Sequence, residues 1–300
     1  MILRIKIGTR TSRLALWQAN FVAARLKKFF PDVEVELVAV HTTGDKILDA
    51  PLAKIGGKGL FTKELELQMA RGQIDAAVHS MKDVPTELPE GFRIAAVTER
   101  AQPFDAFVSN RFASFDALPI GAVVGTSSLR RAAQVLSLRP DITVKNLRGN
   151  VDTRLAKLDA GDFDAIILAA AGLERLGHGA RVREILTQLI PAAGQGALAI
   201  ETRDDDAFEL MQRLNDSATR AAVDIEREFL TAVGGSCQIP VGVFAQVGDT
   251  VSVRAIIAAP DGRHVVTDSV TASADDKHIG ERLARRLLNR GGREILDALK

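Results

Sequence analysis

The stretch GALAIE, Gly196–Glu201, decides the fold. It reads as an isolated buried strand standing after a complete run of alternating strands and helices. Upstream, LRIKIG (Leu3–Gly8) reads as a strand, and a helical pattern follows it and stops at Pro31. Val33–Val40 alternates as a second strand, Gly59–Gln73 is helical, and Ile74–Ser80 and Phe92–Thr98 are short apolar strands. Strands alternating with helices predict a parallel sheet with helices on its faces. The pattern then begins again, with strands in DAFVS and Ala122–Ser127, a helix over Ser128–Pro140, a strand in ITVKNLRGN, a helix in VDTRLAKLDAG and a buried strand over Phe163–Gly172. The strand at Gly196–Glu201 is expected to return to the first sheet. Two lobes would then be joined by two crossings, near Thr98–Phe104 and Ala192–Gly196.

The last third has a different rhythm. Ala221–Val233 is an amphipathic helix, three alternating segments follow, and Asp275–Lys300 is helical again. This predicts a small α+β domain with an antiparallel three-stranded sheet. The expected domains are 1–98 with 196–215, then 99–195, then 216–300.

Composition narrows the function. The 300 residues carry 39 basic and 38 acidic side chains, a net charge of +1, which argues against a general nucleic-acid binder. No apolar run reaches the length of a membrane span, and the N-terminus lacks the pattern of a secretory signal. The cytoplasm is the expected compartment. One cysteine, Cys237, permits neither an intrachain disulfide nor a cysteine-rich zinc site. The five histidines show no ligand spacing, so no metal is expected. GQGALA (Gly194–Ala199) formally matches a dinucleotide fingerprint, but a strand follows its glycines where that site needs a helix. GGKGLFTKE has Gly59 where a phosphate loop needs Ser or Thr.

The local chemistry lies at strand ends. Ligands of open α/β sheets bind there, and a helix N-terminus adds free N–H groups. TSSLRR places Ser127, Ser128, Arg130 and Arg131 at such a corner; LRGNVDTR places Arg148, Gly149, Asn150 and Arg154 at another. Between Arg111 and Arg154 there are seven basic and three acidic residues, a local excess that the total conceals. In the first lobe Arg10 and Ser12 occupy a third corner, Lys54 and Lys58 a Gly-rich loop, and Lys82 and Asp83 the end of an apolar strand. Arginine binds carboxylates and phosphates bidentately, so the implied ligand is a polyanion held between two lobes. Asp83 is an acid among cations, suited to stabilising a developing positive charge or moving a proton. Cys237, on the turn-rich loop VGGSCQIPVG, reads either as a structural thiol or as a nucleophile or covalent attachment point. An anion-binding solute receptor would also suit two lobes, but would rarely need so many cations. The effector domain of a transcription regulator lacks a DNA-binding segment at its start.

Taken together, GTRTSRLALWQAN, HTTGD, KGLFTKELE, VHSMKDVP, GTSSLRRAAQ, LRGNVDTRL, AAAGLERLG, PAAGQGALAIE and GGSCQIPVG resemble the porphobilinogen deaminase (hydroxymethylbilane synthase) family from Leu3 to Gly242. The resemblance implies two lobes like type II periplasmic binding proteins plus a small third domain. It implies a transferase of tetrapyrrole and haem biosynthesis that condenses four porphobilinogen molecules head to tail, releases ammonia, and frees hydroxymethylbilane by hydrolysis. It implies a dipyrromethane cofactor on Cys237 through a thioether. By matching motif position, Ser12, Lys82, Asp83, Thr126, Ser128, Arg130, Arg131, Arg148 and Gly149 would hold the cofactor. Arg10, Lys54, Lys58, Arg154, Arg175 and Gln195 would hold substrate, and Asp83 would be the catalytic carboxylate. A monomer without nucleic-acid or membrane partners is implied, with handover of product to the next enzyme of the pathway. Two departures stand out: Ser236 separates the glycine pair from Cys237, and Arg13 stands where many members have proline.

Overall fold

A computed structural model describes residues 4–41, 62–235 and 239–299. It divides into two compact units, residues 1–101 with 197–220 and residues 102–196 with 221–300.

The first unit is built on a five-stranded sheet. Strands β1 (Arg4–Arg10), β2 (Glu34–Val40), β3 (Ala76–Ser80) and β4 (Phe92–Val97) come from the first hundred residues, and β10 (Leu198–Arg203) returns to them. The order is β2-β1-β3-β10-β4. β1 is parallel to β2 and β3, whereas β10 is antiparallel to β3 and β4. The strand expected to return therefore does so, but it makes the sheet mixed rather than parallel. Helix α1 (Arg13–Phe29) buries Ala15, Gln18, Ala19, Val22 and Leu26, a stripe at helical spacing. That stripe joins Ile5, Ile7, Val78 and Ile200 in the main core of the unit. Helix α2 (Lys63–Ala70) covers the other face through Leu65 and Met69, packed with Val40, Ile74 and Ala77.

The second unit repeats the plan. Its strands are β5 (Asp105–Val108), β6 (Val123–Gly125), β7 (Thr143–Lys145), β8 (Ala165–Ala169) and β9 (Val182–Leu186), in the order β7-β6-β8-β5-β9. β6 is parallel to β7 and β8; β5 runs antiparallel to β8 and β9. Both sheets thus have one strand order, with the antiparallel strand in fourth place supplied by the crossing segment. Helices α3 (Leu129–Leu138), α4 (Val151–Asp159) and α5 (Ala170–Arg175) follow β6, β7 and β8. The strand expected over Phe163–Gly172 ends at Ala169, and the rest of that apolar run begins α5. β9 was not apparent in the sequence, because Arg183 and Glu184 interrupt its apolar pattern.

The same unit contains a second sheet, β11-β12-β13, from β11 (Val241–Val247), β12 (Thr250–Ala258) and β13 (Val265–Ser273), antiparallel throughout as expected. Helix α6 (Asp206–Gln212) belongs to the first unit. Helix α7 (Ser217–Ala232) leads from it into the second, where its Phe229 packs with α8 (Ile279–Leu287) against the three-stranded sheet. The C-terminal helical region is broken at Gly291, whose φ of 105° lies in the region that favours glycine, before α9 (Arg293–Asp297). Ile190, Ala133, Phe244, Ile256 and Ala258 form one apolar cluster that packs α3 and the segment after β9 against the three-stranded sheet.

Candidate active site

The functional side chains stand at the carboxyl ends of parallel strands. In the first unit β1 and β3 are neighbours, so their ends lie together. Arg10 ends β1, and Ser12 caps α1, its Oγ accepting from Ala15 N at 3.3 Å. Arg13 is the first residue of that helix and is exposed. Gln18 of α1 donates to Ser80 Oγ at the end of β3 (2.8 Å). Met81–Asp83 then form one 3-10 turn. Met81 N donates to Ala197 O (3.0 Å) and Val84 N to Met81 O (3.2 Å), while the side chains of Met81 and Val84 are buried. The turn is pinned at both ends, so Lys82, half-buried, and Asp83, exposed, project from a fixed backbone.

Deeper in this unit His79 Nε2 meets Glu201 Oε2 at 2.9 Å, both side chains being almost wholly buried. Glu66 of α2 lies near them, and burial pushes its carboxyl above the ordinary value, with Glu201 adding to the effect.

In the second unit the neighbours β7, β6 and β8 bring three corners to one edge. After β6, Thr126 is buried and its Oγ1 accepts from Ser128 N (3.2 Å). Ser128 caps α3 by accepting from Arg131 N (3.4 Å). After β7, Gly149 has φ 116°, and a Cβ there would meet Thr153 Cγ2 at 2.7 Å. Glycine is thus required before Asn150, which caps α4 by accepting from Thr153 N (2.8 Å). Arg154 Nε donates to Gly149 O (2.8 Å), and Arg148 is half-buried beside it in sequence. After β8, Arg175 ends α5 and donates from Nη2 to Gly196 O (2.7 Å). Burial lowers its guanidinium to about 10, with Glu174 opposing.

Arg130 and Arg131 are 5% and 6% exposed, more enclosed than a surface cluster would be. Both reach Asp105, the first residue of β5, which is fully buried. Arg130 Nη2 donates to Asp105 Oδ2 (2.8 Å) and Nη1 to Ile190 O (2.7 Å). Arg131 donates from Nε and Nη2 to Asp105 Oδ1 (3.0 and 2.7 Å) and from Nη1 to Ile167 O (3.2 Å). Gln195 is also buried; its Nε2 donates to Asp105 Oδ1 (2.9 Å) and Pro103 O (2.8 Å). Burial raises the Asp105 carboxyl, but the two guanidiniums outweigh it and hold it well below the usual range. Burial pushes Arg130 down, against the pull of Asp105. Two guanidiniums on one carboxylate leave a buried excess of one positive charge.

Sequence reasoning missed Asp105 and Gln18. An aspartate opening a strand looks like an ordinary boundary residue, and the arginines of TSSLRR read as partners of a ligand and not of a buried acid. Lys54, Lys58 and Cys237 lie outside the described residues. Among the described residues no cluster of three His, Cys, Asp or Glu could hold a metal ion, and no helix is long and apolar enough to cross a membrane.

A family model described as porphobilinogen deaminase, dipyromethane cofactor binding domain, matches residues 5–210, and one described as porphobilinogen deaminase, C-terminal domain, matches residues 221–289. The porphobilinogen deaminase of Thiobacillus denitrificans is 51% identical over 301 residues, covering 98% of each chain. Among solved structures, the methionine-binding protein MetQ is similar at 14% identity and a TM-score of 0.46, over 70% of this chain and 89% of that one. The periplasmic aliphatic sulphonate binding protein SsuA from Escherichia coli gives 17% identity and 0.41, over 76% and 69%. With both family models spanning most of its length and a relative identical at half its positions, the chain belongs to the porphobilinogen deaminase family.

Proposed function

We propose that the chain joins porphobilinogen molecules head to tail at one site, with Asp83 as the catalytic carboxylate. Four molecules are added, each addition releases ammonia, and water frees the linear hydroxymethylbilane. As ammonia leaves, positive charge develops on the substrate, and a carboxylate already in place stabilises it without reorganising. The observation that carries this reading is the pinned 3-10 turn: Asp83 is exposed although Met81, which opens the turn, and Val84, which follows it, are buried.

The donors present fit a dipyrromethane, whose acetate and propionate arms make it a polycarboxylate. Thr126, Ser128, Arg130, Arg131, Arg148 and Gly149 of the second unit and Ser12 and Lys82 of the first would hold it. The buried excess positive charge at Asp105, Arg130 and Arg131 supplies an electrostatic reason for an anion there. When bound, the group supplies the pyrrole primer. Arg10, Lys54, Lys58, Arg154 and Arg175 would hold substrate carboxylates, with Gln195 acting on that surface through Asp105. Cys237 would carry the covalent thioether. Three domains are proposed, 1–98 with 196–215, 99–195 and 216–300; the two family models, which part between residues 210 and 221, support the last boundary. The protein would work as a cytoplasmic monomer, without nucleic acid or membrane, and hand its product to the next enzyme.

Intact mass of the purified protein and of Cys237→Ser tests the anchor. An excess of two pyrrole units, absent from the variant, is the expected result. An adduct of the same mass on Cys237→Ser places the anchor elsewhere.

A further inference from the structure

The motif GQGALA is followed by strand β10 and not by a helix, yet both its glycines are needed. Gly194 has φ 72° and Gly196 φ 94°, conformations that side chains seldom adopt, and they flank Gln195 in one turn. Each residue of the turn contacts a different part of the second unit. Gly194 N donates to Glu226 Oε2 (2.6 Å). The Gln195 side chain reaches Asp105, the carboxylate shared by Arg130 and Arg131. Gly196 O accepts from Arg175.

Glu226 extends this network. It lies on α7, is fully buried, and its second oxygen accepts from Ala245 N of β11 (2.9 Å). A buried carboxylate is costly unless its oxygens are satisfied, and here backbone N–H groups from two separate elements satisfy both. α7 and β11 are the elements between which Cys237 stands in the chain.

We infer that the Gly194–Gly196 turn is a positioning node, with Glu226 and Gln195 as positioning residues that fix α7 and β11 relative to the arginine pair. Neither residue need touch the reacting atoms. Their effect is on where a primer anchored between α7 and β11 presents its carboxylates to Arg130 and Arg131. The inference rests on the reading of Cys237 as the anchor. Misplacement of reacting groups by about an ångström can cost up to about a hundredfold in rate, so the effect is measurable without loss of fold.

The test uses the full-length chain made without pyrrole, then given porphobilinogen. Adduct formation is followed by intact mass, alongside kcat, KM and the thermal midpoint. Glu226→Gln keeps the shape but turns an N–H toward one of the two backbone donors. The expected result is an unchanged or slightly lowered midpoint, adduct formation slowed about tenfold, and kcat lowered about as much with KM nearly constant. A purely structural role would lower the midpoint and leave adduct rate and kcat of the folded protein as in the parent; that result overturns the inference. If Glu226→Gln does not fold, Gln195→Met decides in the same assay: slowed loading supports the node, and parental loading overturns it. A parent that forms no adduct fails at the anchor itself, and the inference falls with it. Parental adduct formation with insensitive variants defeats the node alone.

Discussion

Both five-stranded sheets have one strand order, and in each the antiparallel crossing strand carries a fully buried acid: Glu201 on β10 and Asp105 on β5. The partners differ. Glu201 meets the single imidazole of His79 and lies close to a second buried acid, Glu66. Asp105 meets two guanidiniums. One topology has thus been given opposite electrostatic interiors. The first unit keeps its acids inside and sets Lys82 and Asp83 at a strand end. The second keeps a positive excess inside, suited to attract an anionic chain. The shared scaffold fixes where strand ends gather; the residues on the crossing strand decide what each lobe does there.

The strongest way to break this comparison is to neutralise each acid in turn. Asp105→Asn leaves two buried guanidiniums without their counter-charge, and removing one partner of a buried pair typically costs about 3–5 kcal/mol. Glu201→Gln neutralises the partner of a single imidazole but keeps an oxygen that can accept from it, with an expected cost of at most about 1–3 kcal/mol. Urea unfolding of both variants would show the difference; equal costs would remove the distinction drawn between the two interiors.

Asp83→Asn is expected to cut kcat about a hundredfold or more while leaving the urea midpoint unchanged, because Asp83 is exposed. A matching loss of stability would mean that the turn, and not the charge, had been disturbed.

Stability against pH sharpens the contrast, because the two shifts have opposite signs. Asp105 is held below the ordinary carboxylate value, so its contribution is present above that value and is lost as pH falls through the lower folded one. Glu66 is raised above 4.5, so its contribution is present below that value and is lost as pH rises through the higher folded one. Glu66→Gln should therefore flatten the decline in urea midpoint on the alkaline side of pH 4.5. A decline of unchanged steepness would assign it to other groups. The smallest expected effect tests the likeness of the lobes. Ser12 and Ser128 cap the first helix after equivalent strands, and each change to alanine should cost about 1 kcal/mol. Widely different costs would show that the two corners are not equivalent.

Much of the fold was legible because periodicity separates strands from helices, and because the strand at Gly196–Glu201 stands alone after the second run of alternating strands and helices is complete. Strand direction was not legible: nothing in the composition of β10 says that it runs against β3. β9 was hidden by its charged edge residues and α5 by the apolar run it shares with β8. At the site, hydroxyls and arginines at strand-to-helix corners were readable, since caps and cations concentrate there for stated physical reasons. The depth of Arg130 and Arg131 was not, because burial of an arginine depends on a carboxylate twenty-five residues away in sequence. The glycines of GQGALA were visible as a motif, but their reason, a turn with positive φ on both sides of Gln195, needed backbone angles.

The central claim is that a carboxylate on the pinned turn promotes loss of ammonia from porphobilinogen. The most direct test is a single-turnover mass series on adduct-bearing parent and Asp83→Asn protein, with ammonia measured in the same samples. The account predicts that the parent grows by one porphobilinogen less one ammonia at each step, with matching ammonia released, while the variant keeps its starting mass over the same period. Growth of Asp83→Asn at the parental rate, with equal ammonia, would contradict it.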